Sequence, residues 1–116
     1  MKKQIAAAFA TAGLALSIGV AAAPSASAEA SSLCNYTSSQ PQVGYGSTGA
    51  AVQQVQCELW YSLRSSVLAR DGIFGDATKA DVKSFQGCAG LSVDGIVGPN
   101  TWNALNYWTR TDGFVC

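Results

Sequence analysis

Two short blocks hold the residues of this chain that most invite a chemical reading. "DGIFGDAT" spans 71–78 and "DGIVGPNT" spans 94–101, so an Asp-Gly pair recurs 23 positions apart. Asp71 and Asp94 could in principle act as the general acid and base of a glycoside hydrolase. Their context argues against it. Each occupies the same place in a repeat and is followed by glycine, which is what a tight turn demands. A short carboxylate accepts a hydrogen bond from a backbone N–H one or two residues on, and Gly72 and Gly95 take positive φ without a steric penalty. Neither block alternates acidic residues as a calcium loop must. The wider inventory is equally thin. The 116 residues include no histidine, which removes Ser-His-Asp and Cys-His catalysis and any histidine-bearing zinc site. The expectation is a chain that is not an enzyme, with no metal and no cofactor, whose repeated block is scaffold.

The other positions of the block then have structural tasks. Ile73 and Ile96 are expected to point into the core, with Phe74 and Val97 beside them. Gly75 and Gly98 precede the next helix. Pro99 suits a first helical position, where its missing N–H costs nothing, and Asp76 complements the helix dipole in the equivalent place. Thr78 and Thr101 lie in the first turn, within reach of unpaired N–H groups.

The chain ends frame this unit. Met1-Lys2-Lys3, an apolar run over 5–23, Pro24 and the triplet Ala26-Ser27-Ala28 read as a secretory signal peptide over 1–28. The mature chain of about 88 residues is one small domain with a marginal core, a class that often adds disulfides when exported. Its four cysteines, Cys34, Cys57, Cys88 and Cys116, contain no C-x-x-C pair and are expected to form two bridges. Three pairings are open. The usual closeness of domain termini favours Cys34–Cys116, leaving Cys57–Cys88, although Cys57 falls to the side of its helix's apolar stripe. Without Lys2 and Lys3 the basic residues number five against seven acidic ones, and no basic run exists. Nucleic acid is therefore not an expected partner, nor is a membrane once the signal is cleaved.

Residues 29–45 read as an irregular arm, running into the turn "GYGSTG" at 44–49 with Ser47 and Thr48 as N-cap candidates. Val52, Val55, Leu59 and Leu63 recur at helical spacing and predict a helix over 50–63. A second is predicted over 76–89, with Ala77, Val82, Phe85 and Ala89 inward and Gly87 and Gly90 at its stop. A third is predicted over 99–108, with Trp102, Leu105 and Trp108 inward. "AVQQVQ" (51–56) aligns with "DVKSFQ" (81–86), setting Val52 with Val82, Val55 with Phe85 and Gln56 with Gln86. Two helix–turn–helix copies sharing the middle helix predict an all-α, compact three-helix bundle over 46–116 with two disulfides.

Taken together, "GSTGAAVQQVQCEL" (46–59), "DGIFGDATKADVKSFQ" (71–86) and "GLSVDGIVGPNTWNAL" (90–105) resemble the peptidoglycan-binding domain family, motif by motif and in order. Val55, Asp76 and Asp81 depart mildly from its pattern. The resemblance implies a three-helix module that targets cell-wall hydrolases to peptidoglycan, here as a stand-alone secreted domain found outside the cell or on the wall. The alternative is a protein-interaction module, a regulatory partner or inhibitor of a secreted hydrolase, because the resemblance extends to regulatory prosegments of some proteases. Family motif residues such as Trp102 carry over as packing markers. The candidate ligand contacts are instead aromatics and amides near the helix ends: Tyr45, Gln53, Gln54, Trp60, Tyr61, Arg70, Tyr107 and Trp108. Aromatic faces stack on sugars, while amides and Arg70 bond hydroxyls, peptide carbonyls or stem carboxylates.

Overall fold

The computed structural model describes residues 33–116; the segment expected as the signal peptide lies outside them. The described chain has three helices and no strand: α1 (Ala50–Ser62), α2 (Asp76–Ala89) and α3 (Pro99–Arg110). Two isolated antiparallel bridges, Val43 with Val97 and Thr48 with Ile73, hold the turns together.

The core follows from the predicted periodicity. Val52, Val55 and Leu59 of α1, Val82 and Phe85 of α2, and Trp102 and Leu105 of α3 are all buried, joined by Val43, Leu63, Phe74 and Val97 from the connections. Helix α1 is central, packing against both other helices. Its buried set includes Gln54, Gln56, Cys57, Glu58 and Ser62, so it is covered well beyond its apolar stripe.

Each helix begins after a glycine, Gly49, Gly75 or Gly98, and none has a side-chain cap. The expected capping by Ser47 or Thr48 does not occur. Ser47 Oγ instead accepts the Gly44 N–H at 3.0 Å, and Thr48 is taken up in its bridge to Ile73. Helix α2 stops at Gly90, whose left-handed conformation (φ 77°) lets its N–H and that of Leu91 reach back to the last turn. Helix α3 runs two residues further than its apolar spacing indicates, ending at Arg110.

Three expectations are corrected. Ile73 and Ile96 do not enter the core: they are 58% and 41% exposed, while Phe74 and Val97 are buried. Neighbouring residues of an extended segment face opposite ways, so only one of each pair can point inward, and the larger ring takes that place in the first block. Ala77 is exposed, because Thr78 occupies the inward position of that turn. The disulfides join Cys34 to Cys57 and Cys88 to Cys116, not Cys34 to Cys116 and Cys57 to Cys88. The arm and the tail are each pinned to a different helix. The arm lies along α1, where Gln54 Nε2 donates to the Cys34 carbonyl at 3.0 Å. The tail returns past the end of α1, with Val115 N–H bonded to the Ser62 carbonyl at 2.9 Å.

Candidate ligand-binding surface

The repeated blocks are clamped by a pair of buried glutamines. Gln56 Nε2 lies 3.0 Å from both Asp71 Oδ1 and the Ile73 carbonyl and 3.1 Å from Thr78 Oγ1, while its Oε1 accepts the Gly72 N–H at 2.9 Å. Gln86 repeats the pattern with Asp94, Ile96 and Thr101 at 2.9, 2.9 and 3.2 Å, and accepts the N–H groups of Asp94 and Gly95. Asp71 Oδ1 and Asp94 Oδ1 in turn accept the N–H of Ile73 and Ile96 at 3.0 and 2.9 Å. Those backbone bonds, and next the glutamine amides, hold both carboxyls below the ordinary aspartate value of 3.8. Carboxylates so engaged are anchored acceptors and make poor proton donors.

The predicted ligand residues do not converge. Gln54 is fully buried and structural: its Oε1 accepts the Tyr36 N–H at 2.8 Å and the Thr37 N–H at 3.3 Å, tying the arm to α1. Tyr45 is 65% exposed, with Lys79 Nζ of α2 at 5.9 Å from its ring centroid. Gln53, Trp60, Tyr61 and Arg70 form a separate group on α1 and the loop after it. Gln53 Nε2 donates to the Arg70 carbonyl at 3.3 Å, and the Arg70 guanidinium lies over both rings. Tyr107 and Trp108 meet edge to face at 5.2 Å; Tyr107 is exposed and Trp108 packs partly on the core. Trp102 is buried and donates its indole N–H to the Pro41 carbonyl at 2.8 Å.

Beside the second turn lie two adjoining hollows. One, of about 420 Å³, runs from Tyr45 and Ser47 past Lys79 to Asp94, Gly95 and Ile96. The other, of about 280 Å³, continues over Ser92, Pro99, Asn100 and Thr101. They share Gln42, Asp94 and Ile96 and so lie side by side, together forming a furrow-like depression. A smaller hollow of about 230 Å³ flanks the first turn, where Gln56, Asp71, Ile73 and Thr78 hold the equivalent places. Sequence reasoning missed Gln42, Lys79, Ile96 and Asn100 as furrow residues. Ile96 reads from sequence as a core residue, and nothing local to the other three marks them.

Sequence reasoning also passed over Glu58. Its side chain is fully buried; Oε2 accepts the Gln54 amide at 2.7 Å and Oε1 has no hydrogen-bond partner. Burial pushes its carboxyl from 4.5 up to about 7, against the Gln54 hydrogen bond and the charge of Arg110. Among the described residues no group of three or more His, Cys, Asp or Glu side chains could hold a metal ion, and no helix is long and apolar enough to cross a membrane.

A helix–turn–helix repeat with a shared middle helix, glutamine-clamped Asp-Gly turns and a furrow beside the second of them defines a small all-α binding module. The chain belongs to the family described as "Putative peptidoglycan binding domain", whose model matches residues 48–105. It is 47% identical over 97 residues to an uncharacterised protein of Kitasatospora aureofaciens, covering 81% of this chain and 82% of that one. It is also 44% identical over 101 residues to the zinc D-Ala-D-Ala carboxypeptidase of Streptomyces albus G, again over 81% of this chain but 39% of the enzyme. The chain thus spans about two-fifths of that carboxypeptidase. Among solved structures, a peptidoglycan-binding protein of Clostridioides difficile in complex with glutamine hydroxamate superimposes with a TM-score of 0.53 at 36% identity, over 60% of this chain and 43% of the other.

Proposed function

We propose that this chain is an exported, non-catalytic module that holds peptidoglycan along the furrow beside its second turn. Export follows the signal reading of 1–28, with 29–45 as the arm and 46–116 as the binding domain. The observation that carries the proposal is the pairing, in a chain of this family, of the exposed Tyr45 ring with Lys79, Asp94 and Asn100 along two adjoining hollows. A flat aromatic face accepts the apolar face of a sugar ring, and the polar groups beyond it accept and donate to hydroxyls and amides. A ligand lying along both hollows is elongated, as a glycan strand or a stem peptide is. The C. difficile peptidoglycan-binding protein, similar over 60% of this chain, supports peptidoglycan as the class of ligand.

The same geometry supports binding without turnover. Glycoside or amide cleavage needs an acid poised near neutrality at the surface. Asp71 and Asp94 are held low by their turns, and Glu58, the carboxyl raised to about 7, is buried away from the furrow.

The test is co-sedimentation of mature, oxidised protein with purified insoluble peptidoglycan, with chitin and cellulose as controls. Selective retention without release of soluble fragments is expected, and Tyr45→Ala should weaken it. Retention equal on all three polymers, or none on peptidoglycan, would refute the reading, and the search would pass to a secreted hydrolase as the partner.

A further inference from the structure

Outside the furrow, the far end of α1 displays a fixed cation. Arg70 lies in the loop between α1 and α2, with its guanidinium carbon 5.0 Å from the Trp60 ring centroid and 5.7 Å from that of Tyr61. The two rings meet edge to face at 4.9 Å. The loop beneath is held on both sides: Gln53 grips the Arg70 carbonyl, and the next residue, Asp71, is locked into its turn by Gln56. Arg70 Nε is buried with no hydrogen-bond partner. Among the described residues the guanidinium makes no hydrogen bond or ion pair, and the two ring contacts are all that hold it.

A guanidinium is a rigid fork of donors that matches the two oxygens of a carboxylate or phosphate, and it sheds water more readily than an ammonium. Stacking on aromatic rings covers its faces, and with Nε buried it is the in-plane Nη donors that are left to a partner. Because Trp60, Tyr61 and Gln53 already hold the side chain and its backbone, little side-chain freedom is left to lose on binding, which favours affinity. Arg110, by contrast, donates its Nε–H to its own helix at the Asn106 carbonyl.

We propose that Arg70, seated on Trp60 and Tyr61, is a receptor for an oxyanion of the wall polymer, forming an anchoring point separate from the furrow. The proposal rests on the wall-binding reading above. Two wall components carry the required chemistry: the carboxylates of peptide stems and the phosphodiesters of teichoic acids.

The experiment is co-sedimentation with sacculi at several salt concentrations, using wild type, Arg70→Gln and Arg70→Lys, with thermal melts of each. Arg70→Gln should weaken binding about tenfold or more at low salt, the usual scale for losing a charge-assisted pair. It should also flatten the salt dependence, because screening acts only while the charge is present. Arg70→Lys should weaken binding as well, since a compact ammonium cannot hold two oxygens in a fork; it decides the matter if the glutamine variant melts early. Wild-type binding lost on sacculi freed of stems by an amidase identifies the carboxylate. Loss on sacculi stripped of teichoic acid identifies the phosphate. Folded variants that bind as wild type does, with the same salt dependence, would overturn the proposal while leaving the furrow reading intact. Failure of the wild type itself to sediment would overturn both.

Discussion

Replacing Glu58 by Gln should abolish most of the pH dependence of this domain's stability between mildly acid and mildly alkaline solution. The carboxyl titrates near 4.5 when the chain is unfolded and at about 7 when it is buried in the fold. Because the folded value is the higher, the native state holds the proton more tightly. The stability this supplies is complete below about 4.5 and is lost as pH rises through about 7. The separation of the two values corresponds to about 3 kcal/mol across that window. Glutamine keeps an acceptor for the Gln54 amide but introduces a buried NH2 where Oε1 now has no partner. That adds a constant cost of about 1–3 kcal/mol. The constant cancels when each protein is compared with itself. Urea unfolding of the disulfide-intact proteins at pH 4 and pH 8 should therefore show wild type losing about 3 kcal/mol more than Glu58→Gln. Parallel losses in the two proteins would refute the assignment of a protonated Glu58 to the native state. Asp71 and Asp94 pull the other way: their lowered values supply stability above about 3.8 that is lost as pH falls below it. Wild type should accordingly be most stable near pH 4–5.

Gln86→Leu should cost about 3 kcal/mol in urea unfolding, because it strands the Gly95 N–H and the Ile96 carbonyl inside the second turn; a loss under about 1 kcal/mol would show the clamp to be dispensable. Gly72→Ala and Gly95→Ala both place a Cβ at a φ of +76°, but a methyl at Gly72 would meet the Gly49 backbone oxygen at 3.3 Å while one at Gly95 meets only the Lys79 and Lys83 side chains. Thermal melts should find Gly72→Ala the more destabilised, and the reverse order would contradict the packing described. Peptide mapping without reduction should recover Cys34 joined to Cys57 and Cys88 joined to Cys116. Removing the first bridge with a Cys34→Ser, Cys57→Ser double variant should cost about 3 kcal/mol, as loop closure predicts for a separation of 23.

Much of this molecule is legible from local pattern. The spacing of Val52, Val55 and Leu59 and its repetition in Val82 and Phe85 mark helices whose ends follow from Gly75, Gly90 and Gly98; at the start of α1 Gly49 holds the cap position in place of Ser47 or Thr48. The Asp-Gly pairs mark turns from the chemistry of neighbouring residues alone. The glutamine clamps were also within reach, since Gln56 and Gln86 recur in step with the Asp-Gly pairs they hold. Ile73 and Ile96 failed the same local reasoning. Composition says that an apolar pair flanks each turn, whereas the bridges to Thr48 and Val43 decide which member of it turns inward.

What lay beyond the sequence is the second buried side of α1. Helical period assigns one apolar stripe to that helix and leaves Gln54, Cys57 and Glu58 outside it, as if they faced water. The arm covers them through contacts 17 to 24 residues away along the chain, and α3 returns Thr109 to the Glu58 carbonyl across 51. Those contacts choose the Cys34–Cys57 bridge, turn Gln54 from a ligand candidate into a brace, and raise the Glu58 carboxyl. The same holds for Arg70, whose place on the Trp60 and Tyr61 rings depends on how a 13-residue connection folds back on its helix. Periodicity and turn chemistry act over a few residues and are written there. Which polar face loses its water is decided by segments distant in the chain, and only their packing reveals it.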